Sequence, residues 1–339
     1  MTHIVVIGAG SWGSAIASAL MRAKQQNSNT KQVTVLARRQ ESVDALVDGR
    51  CLYLPESPPA MSIAATIDPA CLDDADMVFV AVPVIANQAN FLMIHDRQRK
   101  HQKDGKQNLG RATIVLCAKG IGKTNEGNAI LLTELATNIL PGHPVAVFSG
   151  PSFADEVFAG LPAALVTASH TPTTAIQIQN AFEGSNLRLY SNDDPDGVAL
   201  AGAMKNVIAI AAGCAVGAGF GDNAKAAILT RGLAEIARFA ALIGAKPDTI
   251  FGLAGVGDLA LTCAGPHSRN MAYGIALGRG EVPRSLLAEG SRTVAQLAGM
   301  AESKGLDLPI TKAVDRLVNH GQDLHEIVSC LLARRAGAE

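Results

Sequence analysis

Aromatic and charged residues are scarce in this chain. Of its 339 residues, 4% are aromatic and 17% are charged, and the formal net charge is −1. So small a net charge gives no general field to attract nucleic acid or an anionic membrane, and few aromatic rings are available to stack on single strands. Hydrophobic residues make up 48% of the chain. The composition therefore predicts a globular protein that binds no nucleic acid and meets any anionic ligand through a local group of basic residues.

The usual metal-binding and targeting patterns are also absent. The six cysteines show neither Cys-x-x-Cys pairing nor the Cys/His spacing of a metal site. We therefore expect reduced thiols and no metal. The residues Met1 to His3 lead into an apolar run without the basic segment and cleavage pattern of a signal peptide. The expected location is the cytoplasm.

One lysine interrupts a long apolar stretch. Between Val198 and Gly221 the only charged residue is Lys205, which is followed directly by Asn206. Burying a lone ammonium costs several kcal/mol unless a partner compensates its charge. Lys205 is therefore a membrane-span residue, a paired structural lysine or a catalytic group. The richness in Gly and Ala, and the lack of a second apolar span, argue against a membrane segment. The pattern favours a buried helix.

The N-terminal residues predict a dinucleotide-binding turn. Ile4 to Ile7 read as a strand, and a helical pattern begins after Gly13. In such a turn Gly8 makes the tight bend, Gly10 lets the backbone approach a pyrophosphate, and Gly13 allows the helix to pack on the strand. The alternative is a glycine-rich turn that binds nothing.

The next strand ends in two arginines. Val33 to Ala37 precede Arg38 and Arg39, where an NAD-specific fold usually has an acidic residue. Arginine at this point suits a 2′-phosphate, so we expect NADP(H) to be preferred over NAD(H). A solvated basic loop is the alternative.

Further apolar strands continue the sheet, and polar residues follow two of them. Lys119 comes just after the strand Thr113 to Cys117, where open α/β sheets bind ligands, although it could equally be an ordinary loop lysine. Ser152, with Asp155 three residues later, is typical of a helix cap. The polar, basic segment Asp96 to Arg111 is predicted to be mainly a solvated loop.

The C-terminal part is predicted to be all-helical. An acidic, proline-containing cluster marks a boundary between a domain at 1–193 and a second domain at 194–339. Within the second, a helix through 256–263 would place Asp258 and Thr262 on one face. Ser268 is predicted to cap a helix whose first turn contains Arg269, which is a plausible phosphate site or a purely structural cap.

Several ordered motifs together resemble bacterial-type NAD(P)-dependent glycerol-3-phosphate dehydrogenase. The resemblance covers nearly the whole chain. It rests on GxGxWG at 8–13, AKG at 118–120, SGPSFADE at 149–156, KNVIAIAAG at 205–213, NAKAAILTRG at 223–232, GLAGVGDLALTC at 252–263 and RN at 269–270. It implies an α/β Rossmann-type doubly wound sheet followed by an all-α domain, with the site in the cleft between them. It also implies reversible reduction of dihydroxyacetone phosphate to sn-glycerol 3-phosphate for phospholipid synthesis, commonly by a homodimer.

The resemblance assigns roles to individual positions. The implied cofactor contacts, beside the glycines and arginines above, are Ser11, Trp12, Lys119, Ala154, Arg269 and Glu289. The implied substrate contacts are Lys119, Gly150, Ser152, Lys205, Asp258, Ser268, Arg269 and Asn270. Lys205 matches the proton-transfer lysine, and Asn206 and Thr262 correspond to groups around the reacting carbonyl. Asp258 would keep Lys205 oriented and modulate its charge.

Two other readings of the sequence remain open. A related Rossmann-plus-helical dehydrogenase, 6-phosphogluconate-like or ketopantoate-like, would share the same architecture. A nucleotide-binding sensor that had lost the reaction would share it too, but it would have no need for Lys205, Asp258 and Arg269 together.

Overall fold

The structure is a computed structural model that describes residues 2–26, 31–103, 111–283, 288–324 and 326–327. The chain divides into two compact units. Unit 1 comprises Met1–Ala118, Gly122–Thr124 and Ile130–Ala199, and unit 2 comprises Lys119–Ile121, Asn125–Ala129 and Leu200–Glu339. The main division thus follows Ala199, later than the predicted boundary at 193, and unit 2 also takes in two short segments of the N-terminal half.

Unit 1 is built on an eight-stranded sheet, and a second sheet has two short strands. Apolar, β-branched runs form the strands, and most of their residues are buried on both faces, as expected where helices cover a parallel sheet. The strands are β1 (Thr2–Ile7), β2 (Lys31–Leu36), β3 (Ala64–Thr66), β4 (Met77–Val80), β5 (Thr113–Leu116), β6 (Ile121–Lys123), β7 (Ala129–Leu131), β8 (Val145–Ser149), β9 (Ala163–Ala168) and β10 (Leu187–Asn192).

The strand order confirms the predicted doubly wound fold. In the large sheet it is β3-β2-β1-β4-β5-β8-β9-β10, and β6 pairs with β7 in the small sheet. All neighbours in the large sheet run parallel except β8 and β9, which are antiparallel. The order reverses between β1 and β4, so the end of β1 lies at the switch point where such sheets bind ligands. The short strands β3, β6 and β7 were not predicted from the sequence.

Helices cover the sheet, and an aromatic cluster fills part of the core. Phe148 stacks on Phe182 and on Trp12, and Phe79 meets two of these rings edge-on. The helices are α1 (Ser11–Gln26), α2 (Gln40–Val47), α3 (Asn87–Lys103), α4 (Leu132–Ile139), α5 (Ala154–Ala159) and α6 (Pro172–Ala181), with 3₁₀ turns at Pro69–Leu72 and Val84–Ala86.

Two local predictions for unit 1 were wrong. The segment predicted as a loop from Asp96 is helical through Lys103, because its Gln, Arg and Lys residues all tolerate a helix well. The rest of that segment, 104–110, lies outside the described residues. Ser152 does not cap α5: the N-cap is Phe153, and the Ser152 hydroxyl donates to the carbonyl of Gly150 at 3.2 Å.

From Leu200 onward, the described residues of unit 2 form helices and no strand. The helices are α7 (Pro195–Gly217), which begins in unit 1, α8 (Gly221–Leu242), α9 (Pro247–Phe251), α10 (Asp258–Thr262), α11 (Arg269–Gly278), α12 (Glu289–Ser303) and α13 (Pro309–Asn319). A π-helical turn, Leu253–Gly257, links α9 to α10. By length and composition α7 could cross a membrane, but 89% of its most apolar window is buried inside the protein, as in a core helix.

Glycines bring α7 and α11 into direct backbone contact. A Cβ at Gly213 would overlap the carbonyl oxygen of Met271, and one at Gly274 would overlap that of Ile210. Gly217 and Gly278 repeat this pattern one turn later. The two helices run parallel, because later residues of α7 contact later residues of α11. The first turn of α11 therefore lies beside Asn206, next to Lys205.

Candidate active site

Lys205 lies on α7 inside a polar cluster of unit 2. Its side chain is 9% exposed, and its ammonium Nζ donates to Asp258 Oδ1 at 2.8 Å and to Thr262 Oγ1 at 2.6 Å. The charge is therefore buried but has two hydrogen-bond partners, which is the condition for holding an ammonium in an apolar helix. The residues of α7 around Lys205 are small and apolar because this part of the helix packs closely against other helices.

A second ammonium shares the same carboxylate. Lys119 Nζ donates to Asp258 Oδ2 at 2.5 Å, so each oxygen of the carboxylate binds a different lysine. The Asp258 side chain is only 2% exposed. Two ammoniums and one carboxylate leave this cluster with a net positive charge when both lysines are protonated, a suitable environment for an oxygen that becomes negative.

The surroundings of Lys205 bring its pKa toward neutrality. Burial lowers the pKa most, Asp258 opposes it and the positive charge of Lys119 lowers it again, and together these effects bring the pKa of Lys205 to about 8. Burial alone would raise the pKa of Asp258, but the two lysines outweigh it and hold that pKa below its ordinary value. At neutral pH the cluster therefore contains an ionised carboxylate and a lysine that can give up its proton at moderate cost.

The short helix α10 sets the direction of these groups. Asp258 is its first residue, and Thr262 lies one turn later on the same face, as the sequence spacing predicted. The Thr262 hydroxyl donates to the Asp258 carbonyl at 2.6 Å while it accepts from Lys205. Thr262 thus uses both its donor and an acceptor site, which fixes the hydroxyl and the ammonium together.

A chain of amide groups extends from this cluster. Asn206 Nδ2 donates to the Lys119 carbonyl at 3.1 Å, and Asn206 Oδ1 accepts from Asn270 Nδ2 at 2.9 Å. Asn270 Oδ1 in turn accepts from the backbone N–H of Gly290 at 3.0 Å. These bonds connect α7, α11 and α12 with the segment that contains Lys119. Gly290 follows Glu289 directly, so Glu289 lies at the end of this chain.

The N-terminus of α11 has the features of an anion site. Ser268 is the N-cap, and its hydroxyl accepts from the Met271 N–H at 3.3 Å, which confirms the predicted cap. Arg269 is exposed, and no hydrogen bond or ion pair within the described residues holds its guanidinium. Helix N–H groups and a guanidinium at one point favour a phosphate dianion.

In unit 1, the turn after β1 has the geometry of a dinucleotide-binding loop. Gly8 has φ of +111°, and a Cβ there would approach the Ala81 carbonyl oxygen to 2.5 Å. A Cβ at Gly13 would overlap the Gly8 carbonyl, so the helix packs on the turn only without a side chain. At Gly10, by contrast, no atom lies within 4 Å of an added Cβ, so the backbone faces open space at the start of α1. The cradle fits a pyrophosphate.

The other predicted cofactor and substrate residues of unit 1 also follow strand ends. The Ser11 hydroxyl donates to the Tyr53 carbonyl at 3.2 Å, and the ring of Trp12 stacks on Phe148. Arg38 and Arg39 are exposed just beyond β2. The remaining three, Gly150, Ser152 and Ala154, lie between β8 and the first residue of α5.

The structure brings together six of the predicted residues in unit 2 and adds positions that the sequence reasoning missed. The assembled set is Lys119, Lys205, Asn206, Asp258, Thr262 and Asn270. Missed were Gly290, which ends the amide chain, and the glycines of α11 that pack against α7. The four-residue spacing of these helix glycines was a readable signal of close helix packing. No group of three or more His, Cys, Asp or Glu suited to a metal occurs within the described part of the chain.

Comparisons with known proteins find relatives for both halves of the chain. Residues 3–175 match the family model for the NAD-dependent glycerol-3-phosphate dehydrogenase N-terminus, and 194–329 match that for the C-terminus. The chain is 41% identical to glycerol-3-phosphate dehydrogenase [NAD(P)+] of Mesorhizobium japonicum over 98% of this chain and 92% of the relative. It is 40% identical to the enzyme of the same name from Chelativorans, over 99% and 98%.

A solved structure shows the same likeness in three dimensions. The crystal structure of glycerol-3-phosphate dehydrogenase from Coxiella burnetii superposes with a TM-score of 0.86 at 33% identity, covering 98% of this chain and 99% of that one. Both halves of the chain match family models, and the relatives are similar over nearly their full length. The chain therefore belongs to the NAD-dependent glycerol-3-phosphate dehydrogenase family.

Proposed function

We propose that the chain catalyses the reversible NAD(P)H-dependent reduction of dihydroxyacetone phosphate to sn-glycerol 3-phosphate, with Lys205 as the general acid. The observation that supports this best is the buried cluster in which Lys205 and Lys119 share the Asp258 carboxylate. A structural lysine would need one counter-ion, whereas this arrangement concentrates positive charge beside a proton donor. Family membership supplies the reaction class, and the cluster supplies residues suited to it.

Lys205 is proposed to complete the reduction at C2. A reduced nicotinamide would, when bound, supply a hydride to the carbonyl carbon, which would leave negative charge on the carbonyl oxygen. Lys205 donates the proton that neutralises this oxygen, and Lys119 adds positive charge beside it. In the reverse direction the neutral amine of Lys205 removes the hydroxyl proton. The pKa of about 8 makes both states accessible near neutral pH.

Asp258, Thr262 and Asn206 prepare this lysine. Asp258 and Thr262 each accept a hydrogen bond from Nζ, so the ammonium keeps one direction before substrate arrives. Asn206 gives one N–H of its amide to the Lys119 carbonyl. Because a carboxamide nitrogen has two N–H groups, the other can donate to the substrate oxygen.

The first turn of α11 is proposed to hold the phosphate. Arg269 offers a bidentate guanidinium, and the helix N-terminus capped by Ser268 adds N–H donors and the positive end of the helix dipole. Asn270 connects this turn to Asn206. A phosphate held here would place the rest of a three-carbon substrate beside α7. Gly150 and Ser152 are further proposed substrate contacts in unit 1.

The turn after β1 is proposed to hold the pyrophosphate of the cofactor. Gly8, Gly10 and Gly13 shape the cradle, with Ser11 and Trp12 in the first turn of α1. Ala154 and Glu289 are further proposed contacts. Arg38 and Arg39, beyond β2, are proposed to bind a 2′-phosphate and to favour NADP(H) over NAD(H). We also propose a cytoplasmic homodimer that supplies phospholipid synthesis, as the family resemblance implies.

Absorbance of NADPH tests the reaction directly. Purified protein mixed with NADPH and dihydroxyacetone phosphate should oxidise NADPH. Ketopantoate mixed with NADPH, and 6-phosphogluconate mixed with the oxidised cofactor, should give no turnover. Dihydroxyacetone without phosphate should react poorly, since Arg269 would have no dianion to bind. An absence of NADPH oxidation across a range of pH would reject the proposal.

A further inference from the structure

The segment before Asp258 has an unusual backbone. Residues Leu253–Gly257 form a π-helical turn, in which the N–H of Gly257 donates to the carbonyl of Gly252 at 3.2 Å, five residues back. An α-helix would make this bond four residues back. The extra residue rotates whatever follows by about 100° relative to an uninterrupted α-helix. Asp258 is the first residue after the turn, so the turn decides where its carboxylate points.

Gly255 is the residue that permits this turn to pack. A Cβ added to Gly255 would overlap the carbonyl oxygen of Ile250 and approach the Ile250 carbonyl carbon to 2.6 Å. These are backbone atoms of α9, which cannot move aside as the end of a side chain can. Gly255 itself is buried. Any side chain at 255 therefore has to displace the π-helical turn, α9 or both.

The site tolerates little displacement at this point. Asp258 bonds Lys205 at 2.8 Å and Lys119 at 2.5 Å, one lysine to each oxygen, and Thr262 bonds Lys205 from one turn further along α10. A shift of about 1 Å would lengthen such bonds beyond hydrogen-bond range. Because Asp258 and Thr262 both belong to α10, a displaced turn would move them together.

We propose that Gly255 is a positioning residue for the reaction, and that the π-helical turn it permits aims Asp258 at both lysines. This proposal rests on the proposed role of Lys205 as the general acid. Gly255 acts only through Asp258. Its role is to hold the backbone in the path that lets a single carboxylate bridge two ammoniums.

The proposal predicts a change in pH dependence, and not only a loss of rate. The charged or titratable groups that influence Lys205 are Asp258, Lys119 and Cys263. Asp258 and Cys263 raise the pKa of Lys205, and Lys119 lowers it, as burial does. If Asp258 moves away, the pKa of Lys205 falls. The protonated form needed for reduction is then lost at lower pH, so the falling limb of the pH–rate profile moves to lower pH.

The test compares Gly255→Ala with Gly299→Ala. Gly299 lies on α12 with no atom within 4 Å of an added Cβ, so its variant should keep the wild-type profile. For Gly255→Ala we expect kcat for reduction to fall by about 10²-fold, the falling limb to move to lower pH, and the Kd for NADPH to stay unchanged. An unchanged kcat and limb would overturn the proposal, as would a lower kcat with an unmoved limb.

A second variant covers the case in which Gly255→Ala does not fold. Deletion of Val256, which is partly exposed, removes the extra residue of the turn and leaves Gly255 in place. It should lower kcat and move the limb in the same direction, and wild-type kinetics would overturn the proposal. Combining Gly255→Ala with Asp258→Asn should be no worse than Asp258→Asn alone. Full turnover by Lys205→Ala would instead refute the proposed acid, so the two failures are distinguishable.

Discussion

Lys205 and Asp258 form a buried ion pair of 2.8 Å between residues that are 53 positions apart in the chain. The pair is asymmetric, because the other oxygen of Asp258 is already bonded to Lys119. One carboxylate therefore stabilises two ammoniums, and neither lysine has the carboxylate to itself. Because Asp258 is shared with Lys119, burial keeps the pKa of Lys205 near 8. This is low enough for a lysine to release a proton at physiological pH.

The first prediction concerns pH. With Lys205 as the proposed general acid, reduction would need its protonated form, so kcat/KM for reduction should fall as pH rises through about 8. Oxidation would need the neutral amine, so its kcat/KM should rise through the same range. Initial rates in both directions between pH 6 and 10, with the pH stability of the enzyme checked in parallel, measure this. A flat profile through pH 8 in both directions would contradict the assignment.

Replacing Lys205 should remove the chemistry and spare the cofactor. Lys205→Ala is expected to lower turnover by about 10²–10⁴-fold, the usual contribution of a general acid. The Kd for NADPH should not change, because the glycine turn belongs to unit 1. Lys312→Ala, which removes a partly exposed lysine paired with Asp307, is the control and should keep full activity. Intact turnover in Lys205→Ala would make Lys205 structural.

Arg38 is expected to distinguish the two nicotinamide cofactors. Loss of a charge-assisted hydrogen bond costs about 1.5–3 kcal/mol, so Arg38→Ala should weaken NADPH binding by roughly ten- to hundred-fold and leave NADH binding nearly unchanged. Fluorescence titration with each cofactor measures both constants. Arg50→Ala is the control, because Arg50 is exposed and pairs with Asp48. Equal losses for both cofactors would reject the preference for NADP(H).

Glu235 is expected to stabilise the fold without taking part in the reaction. Its buried carboxylate accepts the N–H groups of Ile310 and Thr311 at 2.5 and 3.1 Å and the Thr311 hydroxyl at 2.9 Å, at the start of α13. In Glu235→Ala these three donors would be left without an acceptor, so the free energy of unfolding should fall by about 1–3 kcal/mol. Urea unfolding measures this, with the exposed Glu302→Ala as control.

Glu235 also gives a pH dependence with a definite sign. Burial raises its pKa above the ordinary value, although the three hydrogen bonds oppose this. The folded protein then binds a proton more tightly than the unfolded chain, so this group's contribution to stability falls as pH rises from its unfolded pKa to its folded pKa. Glu235→Gln should lack that dependence. Parallel pH profiles for the two proteins would mean that the pKa is not raised.

Local patterns in the sequence predicted much of the fold and part of the site. The turn at Gly8 and Gly13 could be predicted because each glycine meets a requirement within a few residues. Lys205 was identifiable because an isolated charge in an apolar helix needs an explanation. Asp258 and Thr262 were predicted to share a face from their spacing alone.

Contacts between distant segments could not be predicted in this way. Nothing near Lys119 in the sequence indicates that its partner is Asp258, 139 residues later. The π-helical turn could not be predicted, because its glycines are equally compatible with a loop. The overlap that requires glycine at 255 involves a carbonyl of another helix. The helical extension of α3 to Lys103 was missed because polar composition was taken to mean a loop, although its residues have good helix propensity.

The membership of Lys119 in unit 2 bears on the order in which the protein can fold during synthesis. Lys119 is made early, within the stretch that forms the strands of unit 1, but its carboxylate partner is on α10. Domains generally fold as units from the N-terminus as the chain emerges. The segment Lys119–Ile121 can therefore reach this carboxylate only after α10 has left the ribosome, so a truncated chain that ends before α10 would retain the sheet and lack the carboxylate that Lys119 and Lys205 share.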